Sequence, residues 1–394
     1  MKIRKIYQNI LNEIDNNLIL LLIWARQVGK TTLLKQIKNY LDKKDVKTYF
    51  LNLEDPDIKI LLNIHPNKLF EITWSGSEDK QVIFIDEIQY LDNPTNFLKY
   101  IFDEYKDNIK LIVSWSSSFY IDQKFKDSLI WRKKVFNIYT LDFEEFLDFK
   151  DENELKDIFY KTRKIPTLQK NLFNKLLDEY ITYGWYPEIV LTKDNTKKIE
   201  RLYDYSFDYI KKDIYEAKIQ DQDKFLNLLK ILANQTGELI NMNELANTLW
   251  LSQPTIEKYI YVMQKSFQIA LIKPFYSNIR KELTKMPKIY FLDLWIRNSL
   301  LRNFDNISSR IDKWPYLENI FFREFLFKQK SWDSIKFRRT QAQNEVDFIL
   351  NESEAFEIKF DKKQVKESKY KVFKEQYKNI KLNYISFEEL MNFL

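Results

Sequence analysis

Two groups of residues have the types and spacing for chemistry. The first begins after an unbroken apolar run at residues 18–23 (LILLLI), where WARQVGKTT is followed by a stretch with helical spacing of Leu33, Leu34, Ile37 and Leu41. Strand, loop and helix in that order are the context a phosphate-binding loop needs. The pattern G-x-x-x-x-G-K-[ST] is met by Gly29, Lys30 and Thr31, with Trp24 at its first position. Such a loop aims backbone amides at phosphate, and the helix N-terminus behind it adds anion affinity. The expected nucleotide contacts are therefore Trp24, Ala25, Arg26, Gln27, Val28, Gly29, Lys30, Thr31 and Thr32. Lys30 reaches the β- and γ-phosphates of ATP, and the Thr31 hydroxyl serves Mg2+. A second apolar run, 82–85, ends in Asp86 and Glu87. Asp86 is placed to hold Mg2+ through water and Glu87 to polarise the attacking water. A further strand expected over 110–113 ends in Ser114, Trp115 and Ser116, and the two serines could sense the γ-phosphate.

The second group lies near the C-terminus. Glu318 falls on a helix-patterned segment (LENIFFREFLF), Asp347 on EVDFIL, and Glu357 with Lys359 on AFEIKF. Side chains alternate along a strand, so Glu357 and Lys359 share a face, and hairpin-like spacing to Asp347 can bring all three together. Two carboxylates with a nearby lysine can hold magnesium and assist water activation.

The elements that must carry these groups suggest four parts: a nucleotide-binding core over 1–150, a helical linker segment over 151–222, a winged helix over 223–282 and a C-terminal domain over 283–394. In the third part, three helical segments precede the strand-like IALIKPFY, and Ser252 with Pro254 marks the start of the last helix. Gln253, Thr255 and Lys258 would face DNA or solvent. Residues 225–290 carry eight Lys or Arg against four Glu, and residues 361–381 carry eight Lys against three acids. Both surpluses suit phosphate contact, and both also suit a solvated surface in a Lys-rich chain.

The motifs WARQVGKTT, VIFIDEIQY, LIVSWSSSF and LIWRKKVFNIYTLDFEEFL resemble a family of bacterial and archaeal AAA-type P-loop ATPases whose members carry a C-terminal domain of uncharacterised function. The likeness continues through YITYGWYPEIV, KIYFLDLWIRN and NEVDFIL, and so spans nearly the whole chain. It implies an α/β fold: an AAA-type parallel-sheet core, then a helical lid, a winged helix and a C-terminal α/β domain. Glu318, Asp347, Glu357 and Lys359 resemble a restriction-endonuclease-like core. The family's L-x-G-R motif makes Arg132 a candidate phosphate-contacting arginine. The function these features imply is an ATP-binding, Mg2+-dependent ATPase coupled to DNA-binding and nuclease-like modules. The alternatives are a DNA nuclease switched by ATP and a non-catalytic interaction module with a degenerate nucleotide site.

Composition narrows these readings. The 394-residue chain has no Cys and one His, which removes thiol catalysis, disulfides, zinc ribbons and His-based triads. Its longest apolar run, residues 18–25, is far short of the ~20 residues a spanning helix needs. With no signal-peptide pattern, the expectation is a cytoplasmic protein with no membrane partner and an oligomeric state left open. The net charge of +6 comes from 51 Lys and 12 Arg, a Lys bias typical of an AT-rich genome and thus weak evidence for nucleic acid.

Four Gly beside nine Trp is the abnormal feature. Trp24, Trp115, Trp131, Trp185 and Trp295 stand where the family has glycine. Trp250 falls at a turn between short helices, Trp332 follows a helix expected over 321–330, and Trp314 precedes Pro315 in an expected loop. Only Trp74 is uninformative. The expectation is that most of these are glycine in the living protein, written as tryptophan because UGA, read as glycine in some bacterial lineages, was translated as Trp.

Overall fold

The apolar runs at 19–23 and 82–85, and the segment 109–113 that is apolar but for Lys110, become the interior of a parallel sheet, where a strand covered on both faces has little polar alternation. The structure, a computed structural model, describes residues 2–24, 29–73, 80–115, 129–276, 278–329, 331–340 and 344–394. The chain divides into two units, Met1–Leu141 and Asp142–Leu394.

In the first unit, β1 (Ile19–Trp24), β2 (Thr48–Asn52), β3 (Gln81–Asp86), β4 (Ile109–Trp115) and β5 (Lys133–Ile138) are all parallel and lie in the order β2-β3-β4-β1-β5. Leu33, Leu34, Ile37 and Leu41 form the buried side of the Lys30–Asp42 helix, as their spacing predicts. The order has a direct consequence for chemistry. β4 lies between β1 and β3, so the ends of these three strands line one edge of the sheet. In open α/β sheets that carboxyl-end edge is where ligands bind.

The second unit begins with helices. Asp142 and Glu145 close a reciprocal capping box on the Phe143–Phe149 helix, and the Lys170–Tyr183 and Asn195–Glu216 helices follow. The next segment forms helices Gln222–Asn234, Met242–Leu249 and Gln253–Lys265, then the antiparallel pair β6 (Ile269–Pro274) and β7 (Lys288–Phe291). A single bridge from Leu239 to Lys288 adds a short third pairing. Ser252 caps the last of these helices by accepting the Thr255 N–H, with proline in the first turn, as its sequence predicts.

β8 (Ile335–Arg339), β9 (Glu345–Leu350), β10 (Glu354–Lys359) and β11 (Lys381–Ser386) complete a six-stranded sheet in the order β11-β10-β9-β8-β6-β7. β6 pairs parallel with β8 through Lys273 and Pro274 while remaining antiparallel to β7. The Lys313–Gln329 helix packs on this sheet, and its Phe325 ring meets those of Phe348 and Phe356. Among the described residues, no helix is long and apolar enough to cross a membrane.

The tryptophans separate into three kinds. Trp131 and Trp250 adopt left-handed backbone angles (φ 68° and 54°) and are 91% and 88% exposed. Here a side chain meets the steric cost that glycine avoids and gains no burial in return. Trp115, Trp185 and Trp295 are fully buried. Two expectations are corrected. Trp314 lies in the first turn of the Lys313–Gln329 helix rather than in a loop. Trp332 lies in a one-turn helix capped by Ser331 and lacks the left-handed backbone expected of a glycine helix stop. Trp74 lies outside the described residues.

Candidate functional site

Gly29 adopts φ 86°, ψ 32° as the residue that opens the Lys30–Asp42 helix, a conformation suited to glycine. The first residues of that helix then face the ends of β3 and β4. The Thr31 hydroxyl donates to Asp86 Oδ2 at 2.9 Å, and Lys30 forms an ion pair with Glu87. On the other side, the Ser114 hydroxyl donates to Asp86 Oδ1, and the Glu87 N–H donates to Ser114 Oγ at 2.8 Å. Glu87 takes a left-handed backbone (φ 58°) just past the strand, and Gln89 Nε2 donates to its second carboxylate oxygen. Residues from three separate parts of the chain thus meet in one hydrogen-bonded set.

The set suits a phosphate ligand with a divalent cation. Thr31 and Asp86 supply the hard oxygen donors that Mg2+ takes, and Lys30 supplies a cation for phosphate. Ser114 is completely buried, so its evident task is to orient Asp86 and the Glu87 backbone. Thr32 is exposed one residue along the helix. Ala25, Arg26, Gln27, Val28 and Ser116 lie outside the described residues, and Trp24 ends β1.

Arg132 is not brought to this place. It immediately precedes β5, whose first residue pairs with Ile19 at the start of β1, whereas Lys30 follows the end of β1. Six strand residues at about 3.3 Å each separate the two edges. Arg132 instead forms two hydrogen bonds to the Asp103 carboxylate, at 2.6 and 3.2 Å.

In the second unit the predicted carboxylates do converge. The β9–β10 register pairs Phe356 with Phe348, and continuing it sets Glu357 opposite Asp347. Asp347 Oδ2 accepts the Ile358 N–H at 2.7 Å. Lys359 pairs with Glu357, whose Oε1 also accepts the Tyr370 hydroxyl at 2.6 Å. Carboxylate oxygens of Glu318, Glu345 and Asp347 all lie within 4.8 Å of one another. Lys288 reaches into this group, 2.8 Å from Glu318 Oε1 and in an ion pair with Glu345, and the Tyr290 hydroxyl donates to Glu318.

Sequence reading missed Glu345, Lys288, Tyr290 and Tyr370. Glu345 carried a usable signal, because it is two residues before Asp347 and therefore on the same strand face. Lys288 carried none, since its position depends on a strand pairing that composition and spacing do not reveal. Burial, and then the Glu318 and Glu357 charges, raise the Asp347 carboxyl well above its ordinary range. Glu357 is raised too, mainly by burial. Burial pulls the Lys288 and Lys359 ammonium groups down, yet the surrounding carboxylates outweigh it and hold both above the usual lysine value. The donors are all oxygen, which suits Mg2+ or Mn2+ rather than a soft metal.

Comparison with known proteins addresses the two units separately. Residues 16–147 match the family model of an AAA domain. Residues 174–306 match a domain of unknown function. The AAA match covers the whole of the Lys30, Thr31, Asp86, Glu87 set, so the first unit is similar to AAA-type ATPase domains built on a P-loop α/β sheet. An uncharacterized protein of Methanocaldococcus jannaschii is 27% identical over 380 residues, covering 94% of this chain and 81% of its own. An uncharacterized protein of Haemophilus influenzae is 26% identical over 366 residues, covering 87% and 84%. Among solved structures, AMPPCP-bound DnaA from Aquifex aeolicus is 13% identical with a TM-score of 0.32, covering 67% of this chain and 89% of that one.

Proposed function

We propose that the first unit binds ATP with Mg2+ and hydrolyses it, and that this cycle governs a DNA-directed second unit. The observation that carries the ATPase reading is the Thr31–Asp86 hydrogen bond beside the Lys30–Glu87 pair. Lys30 is paired with Glu87. An arriving phosphate competes for that ammonium, and Glu87 can then orient water and take its proton. Thr31 and Asp86 would hold Mg2+, which would supply neutralising charge for the phosphates.

The loop itself determines whether this happens. The motif calls for glycine at position 24, because a bulky side chain there would crowd a turn whose amides must face phosphate. The left-handed, exposed Trp131 and Trp250 support reading such positions as glycine. The gene's codons test this: UGG at these positions would sink the recoding reading, and UGA in a lineage that decodes it as glycine would sustain it. The functional test uses the Trp24→Gly chain. Mg2+-dependent ATP hydrolysis that is lost in Glu87→Gln is expected, and a Trp24→Gly chain that neither binds nor hydrolyses ATP would leave the interaction-module reading in its place.

For the second unit, helices Gln222–Asn234, Met242–Leu249 and Gln253–Lys265 with the β6–β7 hairpin support a winged helix. The convergence of Asp347, Glu357 and Lys359 supports a nuclease-like centre, with Glu318 alongside. A bound metal there would activate water and stabilise charge on the scissile phosphate. Magnesium-dependent DNA cleavage that survives both Asp347→Ala and Lys359→Ala would show that these residues are not its site.

A further inference from the structure

The carboxylate cluster already contains a cation of the protein's own. We propose that Lys288 is a tethered substitute for a divalent metal ion: its ammonium engages two carboxylates of the Glu318, Glu345 and Asp347 group, and metal binding requires β7 to give it up. The proposal rests on the metal-binding reading of this cluster.

Lys288 is almost completely buried, and its ammonium engages Glu318 at 2.8 Å and also Glu345. These are two of the three carboxylates whose oxygens lie within 4.8 Å of one another. A metal ion bound at about 2.1 Å from each ligand would need the space the ammonium fills. Without Lys288, the cluster would hold Glu318, Glu345, Asp347 and Glu357 against Lys359 alone, with Arg339 at the rim 3.8 Å from Glu345 Oε2. Like charges at such separations do not stay together in a buried site without a counter-ion.

A separate observation points to an additional ligand. Glu357 is buried, and its Oε2 meets no hydrogen-bond partner among the described residues, while its Oε1 is used by Lys359 and Tyr370. An acceptor left so at the edge of the cluster is one that a metal ion or its water can use.

The position of Lys288 also gives the exchange a direction. It begins β7, the second strand of the hairpin that follows the three-helix segment, and it makes the bridge to Leu239 between the first two of those helices. Anything that shifts this hairpin moves the cation. Engagement of the hairpin by a ligand would therefore load or unload the cluster.

The test measures Mn2+ binding to the full-length chain without nucleotide, with Asp347→Asn as the control that assigns binding to this cluster. Lys288→Met is expected to bind Mn2+ about tenfold more tightly than the unaltered chain, because the apparent affinity no longer includes withdrawal of the competing ammonium. In the unaltered chain, acetylation of Lys288 by an amine reagent, mapped by mass spectrometry, is expected to rise when Mn2+ saturates the site. Equal or weaker Mn2+ binding in Lys288→Met, or a Lys288 that stays protected with Mn2+ bound, overturns the proposal and leaves the metal reading intact. If Lys288→Met does not fold, the acetylation measurement on the unaltered chain decides. Absence of any Asp347-dependent Mn2+ binding in either chain overturns both.

Discussion

The two candidate sites handle acidic residues in opposite ways. At the edge of the first sheet each carboxylate has its own donors: Asp86 takes hydroxyls from Thr31 and Ser114, and Glu87 takes Lys30 and Gln89. Inside the second unit, Glu318, Glu345, Asp347 and Glu357 crowd around Lys288 and Lys359. The first set places one lysine against two carboxylates, and the second two lysines against four. The same ratio of charges is thus arranged in two ways: each carboxylate has separate donors in the first, and a crowd of carboxylates shares its cations in the second.

The strongest way to break this comparison is to exchange the sites' dependence. In a Trp24→Gly background, Glu87→Gln is expected to lower ATP hydrolysis by about 100- to 10,000-fold, the range for losing a group that positions and deprotonates water. Asp347→Asn is expected to leave that rate within about twofold, because it alters neither Lys30 nor Asp86. Steady-state phosphate release measures both, and an equal loss in the two variants would show that the sites are not chemically separate.

A second prediction asks whether excess buried acid is general to the second unit. Burial raises the carboxyls of Asp293 and Glu324 to about 7 from ordinary values of 3.8 and 4.5. Between those limits the unfolded chain has released protons that the folded chain retains, so stability falls as pH rises from about 4 to 7. Shifts of this size correspond to about 4 kcal/mol for Asp293 and about 3 kcal/mol for Glu324. Urea unfolding across that window should show the slope, and Asp293→Asn with Glu324→Gln should flatten it.

Smaller effects concern the backbone. Trp250→Gly is expected to stabilise the chain by about 1 kcal/mol, because it relieves a left-handed residue that buries little. Trp295→Gly is expected to destabilise it by about 3 kcal/mol by removing a fully buried ring. Thermal denaturation distinguishes them, and the same sign in both would refute the division into turn and core tryptophans.

The first site was nearly complete in the sequence because its parts are local. A strand, a glycine turn and a helix start carry Lys30 and Thr31, and a second apolar strand carries Asp86 and Glu87. Arg132 failed because proximity in a motif says nothing about which edge of a parallel sheet a residue reaches. In the second site, alternation exposed the Asp347, Glu357 and Lys359 face. Lys288 stayed hidden because its place depends on β7 lying at one end of a sheet completed by strands 47 to 98 residues later. Trp250 was legible as a turn and Trp131 as a glycine position of the motif, whereas Trp314 and Trp332 were misread where a helix begins and where a short helix replaces a stop.

β6 belongs to two partnerships at once, antiparallel to β7 and parallel to β8. The expected boundary at 282/283 falls between β6 and β7, inside a hydrogen-bonded hairpin. Backbone amides on both sides of it should consequently exchange with deuterium as one cooperative group, since neither side can open without breaking the shared ladder. In evolutionary terms the three-helix segment and the carboxylate sheet would be inherited as a single piece.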